Sequence, residues 1–316
     1  MNKFFTALFF VSILLSSYIK IASVAGNNFA FTIDQGRDLV DVRHMVVFQS
    51  PRLVGPTTSI NGVLLGPFYY YFITIPFILF SGSPAAIVYW QIFWFQLSVI
   101  VLWLVLKQKS KLLADITGTL LLLSPMGFYT ARYFWNANAM PIFVILFVAF
   151  LLKSIWSTKQ IWLILLGLLI GFSLQVEAAF GVIFVPFSVI FLLLNRKTVK
   201  NLLVLLFSFL LTIVPQILFE FRHSFVMSKT LIAGLTGTSD ILGKKLLFAQ
   251  KFIQRGQVYA GAIRETNHIQ YNLLLSLFVI SLLVRSRLCE LCEKRFYNFL
   301  LRSLLVLLSL FCVPRS

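Results

Sequence analysis

Acidic side chains are scarce in this chain: ten Asp and Glu stand among 316 residues, against 27 Lys and Arg. Charged residues of both signs make up 12%, about half the share of a soluble globular domain. That shortage excludes a water-solvated fold. Histidine and cysteine are rarer still, three of each. Cys289 and Cys292 form one CxxC, which supplies only two of the four ligands of a structural zinc site. Their neighbours Arg285, Arg287, Lys294 and Arg295 read as a charged loop. Cys312 lies in an apolar run and reads as packing. No Asp-x-Asp pair occurs, so no carboxylate-bridged divalent metal is indicated. Internal repeats and low-complexity linkers are also lacking, which predicts one domain over residues 1–316.

What is present is hydrocarbon. The chain is 59% hydrophobic, with a mean hydropathy of +0.92, and apolar runs near the ~20 residues that cross a bilayer recur from end to end. The fold class is an all-α polytopic membrane protein. A formal net charge of +17 would suggest nucleic acid in a soluble chain. Here the Lys and Arg fall in short connecting clusters, which topology explains, so nucleic acid is not an expected partner. The 34 Phe read mainly as lipid-facing bulk.

The first run, residues 4–24, reads as a retained signal-anchor. Ala22-Ser-Val-Ala25 also resembles a small-residue cleavage site, but the run is long and further spans follow. About nine spans are expected, near 4–24, 85–106, 112–129, 141–156, 161–176, 178–194, 201–218, 271–284 and 298–313. The segment 63–80 is apolar too, yet it carries two prolines and Tyr69-Tyr70-Tyr71, an aromatic run suited to the headgroup interface. Counting it as a span would move the clusters Lys107/Lys109/Lys111, Lys153/Lys159 and Arg196/Lys197/Lys200 outside, against the positive-inside rule. It is therefore expected as a juxtamembrane or re-entrant element in a large first outer loop, residues 25–84. A second large outer loop, 219–270, contains an amphipathic stretch at 241–253 suited to the bilayer surface.

With this topology seven of the ten acids fall on the outer side: Asp34, Asp38, Asp41, Glu177, Glu220, Asp240 and Glu265. Acids do not set topology, so their gathering points to an outward-facing polar site. Three of them lie within eight positions just after the first span. The outer side also carries the cations Arg37, Arg43, Arg132, Arg222 and His223. His44 is expected as a loop residue without a special role.

Four segments carry a likeness to a known family. They are Asp34-Gln-Gly-Arg-Asp38; Gly55-Pro-Thr-Thr-Ser-Ile-Asn-Gly62 with Gly66-Pro-Phe-Tyr-Tyr-Tyr71; Ser124-Pro-Met-Gly-Phe-Tyr-Thr-Ala-Arg132 with Trp135-Asn136; and Phe219-Glu-Phe-Arg-His223. Together they resemble the C-type glycosyltransferases (GT-C), in the branch shared by protein O-mannosyltransferases and the aminoarabinose transferase of lipid A. The resemblance covers nearly the whole chain and implies a GT-C-like bundle. The implied activity is transfer of a sugar from a polyprenyl-phosphate donor to a lipid, glycan or protein acceptor. It further implies an enzyme of a bacterial or archaeal plasma membrane with its site facing outward.

Carried onto this sequence, the resemblance makes Asp34 the catalytic base. A carboxylate within hydrogen-bond reach of the acceptor, partly desolvated, can take the proton lost as the acceptor attacks the anomeric carbon. The expected substrate-binding residues are Arg37, Arg132, Asn136, Glu177, Arg222 and His223. Among them the cations suit the donor phosphate, and Glu177 suits acceptor or sugar hydroxyls. Asp38, one turn past Asp34, is expected to support the loop. Gln35 stands where the family often has Glu, and the stretch 132–138 offers amides where many relatives carry another acid. A metal-independent enzyme without a cofactor follows. Interfacial anchoring is the alternative role for Arg132, Arg222 and His223. At the level of function, the alternatives are a flippase or transporter of polyprenyl-linked sugars, and an inactive family member truncated at the C-terminus, since the related enzymes are longer.

Overall fold

The structure, a computed structural model, describes residues 2–58, 62–195 and 197–236. Eleven α-helices run through them, and among the described residues the only extended pairing is an isolated antiparallel bridge between Thr57 and Leu64. Four helical segments are long and apolar enough to cross a membrane: α1 (Asn2–Val24), α4 (Pro84–Lys107), α7 (Met140–Trp156), which the 3-10 turn Ala137–Ala139 extends to 20 residues, and α10 (Val199–Arg222). Helices α8 (Ile161–Val176) and α9 (Ala178–Leu194) are apolar but have 16 and 17 residues. At ~1.5 Å per residue they fall a few ångströms short of a bilayer's hydrocarbon core. Each of these six helices coincides with an expected span. The expected stretches 271–284 and 298–313, the 241–253 segment and the CxxC lie outside the described residues.

The run at 112–129 is not one helix. It breaks into α5 (Lys111–Leu122) and α6 (Pro125–Ala131). Pro125 holds Ser124 extended, at ψ 140°, and the Ser124 hydroxyl accepts a hydrogen bond from Gly127 N at 3.2 Å, capping the new helix. Proline's bias on the residue before it outweighs the apolar periodicity here.

Two helices occupy the loop between α1 and α4: α2 (Ile33–Val47) and α3 (Phe68–Leu79). Gln35 starts α2 by reaching back to accept from Thr32 N, while its amide donates to Ala30 O at 3.1 Å. A glutamate could not make that second bond. Twelve residues of α3 span only ~18 Å, too little to cross. Tyr69 and Tyr70, expected at the headgroup interface, are instead buried, and only Tyr71 is exposed. They join a core containing Val24 of α1, Val42 of α2, Val88 of α4 and Phe134 before α7, so the loop is clamped onto the helices below it.

Helices α8 and α10 approach each other closely. A Cβ added at Gly167 would come within 2.8 Å of Ser208 Cβ, and one at Gly171 would fall on Thr212. Small residues four apart let two helices meet backbone to backbone where lipid offers no hydrophobic drive. The apolar helices also bury two ionisable groups, Lys20 and Asp115. Lys20 Nζ lies over the rings of Phe95 and Phe128, 4.1 and 5.1 Å from their centroids. Asp115 accepts from Trp103 Nε1 at 2.8 Å and Thr6 Oγ1 at 2.6 Å. Both sit within about a turn of a helix end.

Candidate functional site

The face of α2 that carries positions 34, 37, 38 and 41 repeats at three and four residues, so these side chains share one stripe. Arg37 stands in the middle. Its Nη1 lies 3.1 Å from Asp34 Oδ1 and 3.1 Å from Thr57 Oγ1. Its Nε and Nη2 both donate to Asp38 Oδ1, at 3.2 and 3.1 Å. The two carboxylates differ sharply in environment: the Asp34 side chain is 47% exposed, that of Asp38 only 1%. Burial pushes the Asp38 carboxyl up to about 6, against the pull of the Arg37 charge and its hydrogen bond. Burial works against the Arg37 charge too, yet Asp38 and Asp34 hold the guanidinium more firmly protonated than usual.

Helix α3 closes the inner side. The Tyr70 hydroxyl donates to Asp41 Oδ2 at 2.9 Å and lies 3.4 Å from Asp38 Oδ1. Burial and these two acids raise its own ionisation well above a free tyrosine's. Arg52 completes the row, its Nη2 2.6 Å from Asp41 Oδ1, while Tyr71 donates to the Arg52 carbonyl at 3.0 Å. The Tyr69 hydroxyl is buried without a hydrogen-bond partner among the described residues, and burial followed by the nearby Asp38 charge strongly disfavours its ionisation.

The loop segments 52–58 and 62–66 are held together by close backbone contact. Gly55 N donates to Leu65 O at 2.8 Å, and Leu65 N to Pro56 O at 2.9 Å. A Cβ on Gly55 would strike the Gly66 carbonyl, and one on Gly66 would strike Gln175. Glycine is needed at both places for that approach. Gln175 is buried and bridges the two sides, accepting from Phe68 N at 3.1 Å and donating to Thr212 O at 2.6 Å. From the far side, α11 (Val226–Thr236) reaches the loop: Met227 Sδ accepts from Leu64 N at 3.3 Å. Glu220 makes that turn by accepting from Met227 N and Ser228 N at 3.0 and 2.9 Å.

Of the residues singled out from the sequence, only those on α2 are joined to one another by ion pairs among the described residues. Asp34 and Arg37 are in direct contact, with Asp38 behind them. Arg132 ends α6 with an exposed side chain, and the neighbouring Tyr133 hydroxyl lies 3.0 Å from Thr32 Oγ1, beside the start of α2. Asn136 is buried and donates to Val176 O at 2.8 Å, next to Glu177, which is half-buried at the start of α9. Arg222 and His223 are exposed at the end of α10, where His223 Nδ1 is 2.8 Å from Phe219 O and its ring stacks on Phe219. Among the described residues no ion pair joins either of them to α2. His44 is exposed, with Nδ1 3.2 Å from Ser50 Oγ.

Sequence reasoning assigned no role to Thr57 or Arg52 and placed Tyr70 at the headgroup interface, yet these three side chains complete the constellation. The spacing of the acids was the available signal, but which acid is buried depends on α3, 30 residues on. Among the described residues no three His, Cys, Asp or Glu gather as metal ligands. An apolar cleft of about 350 Å³ opens between α3, α8 and α10, lined by Phe68, Phe172, Leu211 and Pro215, with Gln175 as a polar member. Comparison with protein-family models, curated proteins and solved structures finds no significant match.

Proposed function

We propose that this chain is a membrane glycosyltransferase of the GT-C type. It would take a sugar from a polyprenyl-phosphate donor and pass it to an acceptor hydroxyl on the extracytoplasmic side. The observation that carries the reading is the pairing on α2 of a half-exposed carboxylate, Asp34, with a guanidinium, Arg37, in contact at 3.1 Å. A base and a phosphate ligand are the two groups this transfer needs most. The acceptor oxygen attacks the anomeric carbon and its proton passes to Asp34. The bond from anomeric carbon to phosphate oxygen breaks, and the electron pair leaves on the polyprenyl phosphate. That leaving group is already an anion of low basicity, so no general acid is required. The apolar cleft beside α3 suits a hydrocarbon tail. The reading invokes no divalent metal and makes Arg37 the cation at the donor phosphate.

Buried Lys20 and Asp115 favour a second reading, a flippase of polyprenyl-linked sugars, since ionisable groups inside a bundle often mark a transport path. The deciding experiment incubates purified protein, in detergent and in vesicles, with farnesyl-phosphoryl-glucose, -mannose and -arabinose and an alcohol acceptor. Release of farnesyl phosphate, read by mass spectrometry, is expected for at least one donor. Transbilayer movement of the lipid without any release would replace the enzyme reading by the flippase.

A further inference from the structure

The guanidinium of Arg37 is divided between two kinds of neighbour. Its Nε–Nη2 edge is spent on Asp38, a carboxylate with 1% exposure, through bonds of 3.2 and 3.1 Å. Its Nη1 points the other way, to the half-exposed Asp34 and to the hydroxyl of Thr57, itself exposed, at 3.1 Å each. We infer that Asp38 is a positioning residue: it fixes Arg37 so that Nη1 and the Thr57 hydroxyl form the seat of the donor phosphate, and the phosphate enters by displacing Asp34. The inference rests on the glycosyltransferase reading and adds to it the place of the phosphate and the event that frees the base.

Three features support this division of labour. First, a planar guanidinium held along one edge loses its freedom to rotate, and its remaining N–H groups keep a fixed direction. Second, the Asp38 anchor is itself held from behind. Tyr70 lies 3.4 Å away and donates to Asp41, which is tied to Arg52. The charged and titratable groups around Asp38 are thus Arg37, Asp34 and Asp41 on its own helix and Tyr69 and Tyr70 on α3. Third, Asp34 already occupies the exposed edge as an anion would. Its carboxylate oxygen, 3.1 Å from Nη1, stands where a phosphate oxygen would sit, with the Thr57 hydroxyl as second donor.

A mechanistic consequence follows. While Asp34 is paired with Arg37, its Oδ1 faces the guanidinium instead of an acceptor. A phosphate that takes over Nη1 releases Asp34 beside the anomeric carbon at the moment the donor is seated. The proton acceptor is freed only when there is something to transfer.

The test measures binding of farnesyl-phosphoryl-glucose, a diester whose charge is constant near neutrality, to the full chain in detergent, with farnesol as the uncharged control. Asp34→Asn is expected to tighten diester binding by about fivefold, because the resident competitor is gone. Asp38→Glu keeps the charge but moves the carboxylate by a methylene, and about a tenfold loss is expected from the displaced Arg37 edge. A role in electrostatics alone leaves Asp38→Glu like the wild type. In the double variant the gain from Asp34→Asn should vanish, since Arg37 no longer presents the edge, whereas independent sites would give additive effects. Thr57→Val, on the exposed loop, should weaken the diester by about threefold without touching farnesol binding, and it serves if Asp38→Glu does not fold. Unchanged affinity in Thr57→Val, or additivity in the double variant, overturns the seat. Turnover with additive variants would leave the enzyme reading standing without this seat. The expected binding pattern without turnover would keep the seat and remove the enzyme.

Discussion

The hydroxyl of Tyr70 lies 3.4 Å from the buried carboxylate of Asp38 and donates at 2.9 Å to Asp41, so one α3 side chain ties together two acids of α2. This contact makes the short helices between α1 and α4 a single unit. Tyr70→Phe keeps the ring in the core and removes the donor. The loss should be about 1.5–3 kcal/mol, the usual range for a hydrogen bond to a charged group. Thermal melting in detergent reads it. Because the Tyr70 bond lowers the Asp38 carboxyl against the larger effect of burial, the variant should also protonate Asp38 at a higher pH.

A pH dependence of stability follows from Asp38. Its folded value is about 6 against an ordinary 3.8, so between these the native state binds more protons than the unfolded chain. The stabilisation is fully present below about pH 3.8 and is lost as pH rises through about 6. Its size is on the order of 3 kcal/mol at most. The melting temperature of the wild type should fall relative to Asp38→Asn between pH 4.5 and 7.5. A constant difference between the two proteins over that range would contradict the buried, raised carboxyl.

Helix positions were legible where local signals agree. Ser83-Pro84 opens α4 and the apolar run carries it to Lys107, as expected within a residue or two. Hydropathy averaging hid the break at Ser124-Pro125, where one proline outvotes a long apolar stretch. The acid stripe was visible as spacing on α2, but its inside and outside were not. Burial of Asp38 and exposure of Asp34 are decided by Tyr69 and Tyr70, which arrive from α3, and no local pattern encodes that contact. Gln175 shows the same limit, since its two bonds run to residues 107 and 37 positions away.

The glycine pair on α8 offers a test of packing. Gly171→Leu would drive a side chain into Thr212, on which even a Cβ would fall. Overpacking of this kind costs about 1–3 kcal/mol, and more where the backbones cannot separate. A drop in melting temperature and in yield of folded protein is expected. Gly127→Ala is the comparison on the short helix α6, where a Cβ would meet the ring of Phe95 at 2.8 Å, a neighbour that can turn aside.

Orientation can be read by cysteine labelling in a background with Cys289, Cys292 and Cys312 replaced. Ile33, 90% exposed at the start of α2, should label as Cys with a membrane-impermeant reagent in intact cells. Lys109, exposed in the turn between α4 and α5, should label as Cys only after permeabilisation. The reverse pattern would put α2 in the cytoplasm and take the proposed site off the outer face.

Asp34→Asn is the sharpest test of the chemistry. Asparagine keeps the shape and one acceptor oxygen, yet it cannot take a proton at neutral pH. Turnover of the donor identified by the release assay should fall by about 10²–10⁴-fold, the usual worth of a general base. Donor affinity should not fall with it, because the substitution removes a negative charge 3.1 Å from Arg37 and leaves that guanidinium to the phosphate. The expected signature is therefore a collapsed kcat with an unchanged or lower KM, which separates loss of the base from loss of the binding site. Arg37→Lys should give the opposite split, with KM raised by the loss of a planar fork and the base still in place. Melting curves that match the wild type are required of both variants. Equal turnover in wild type and Asp34→Asn would remove Asp34 from the reaction and leave α2 with a structural ion pair.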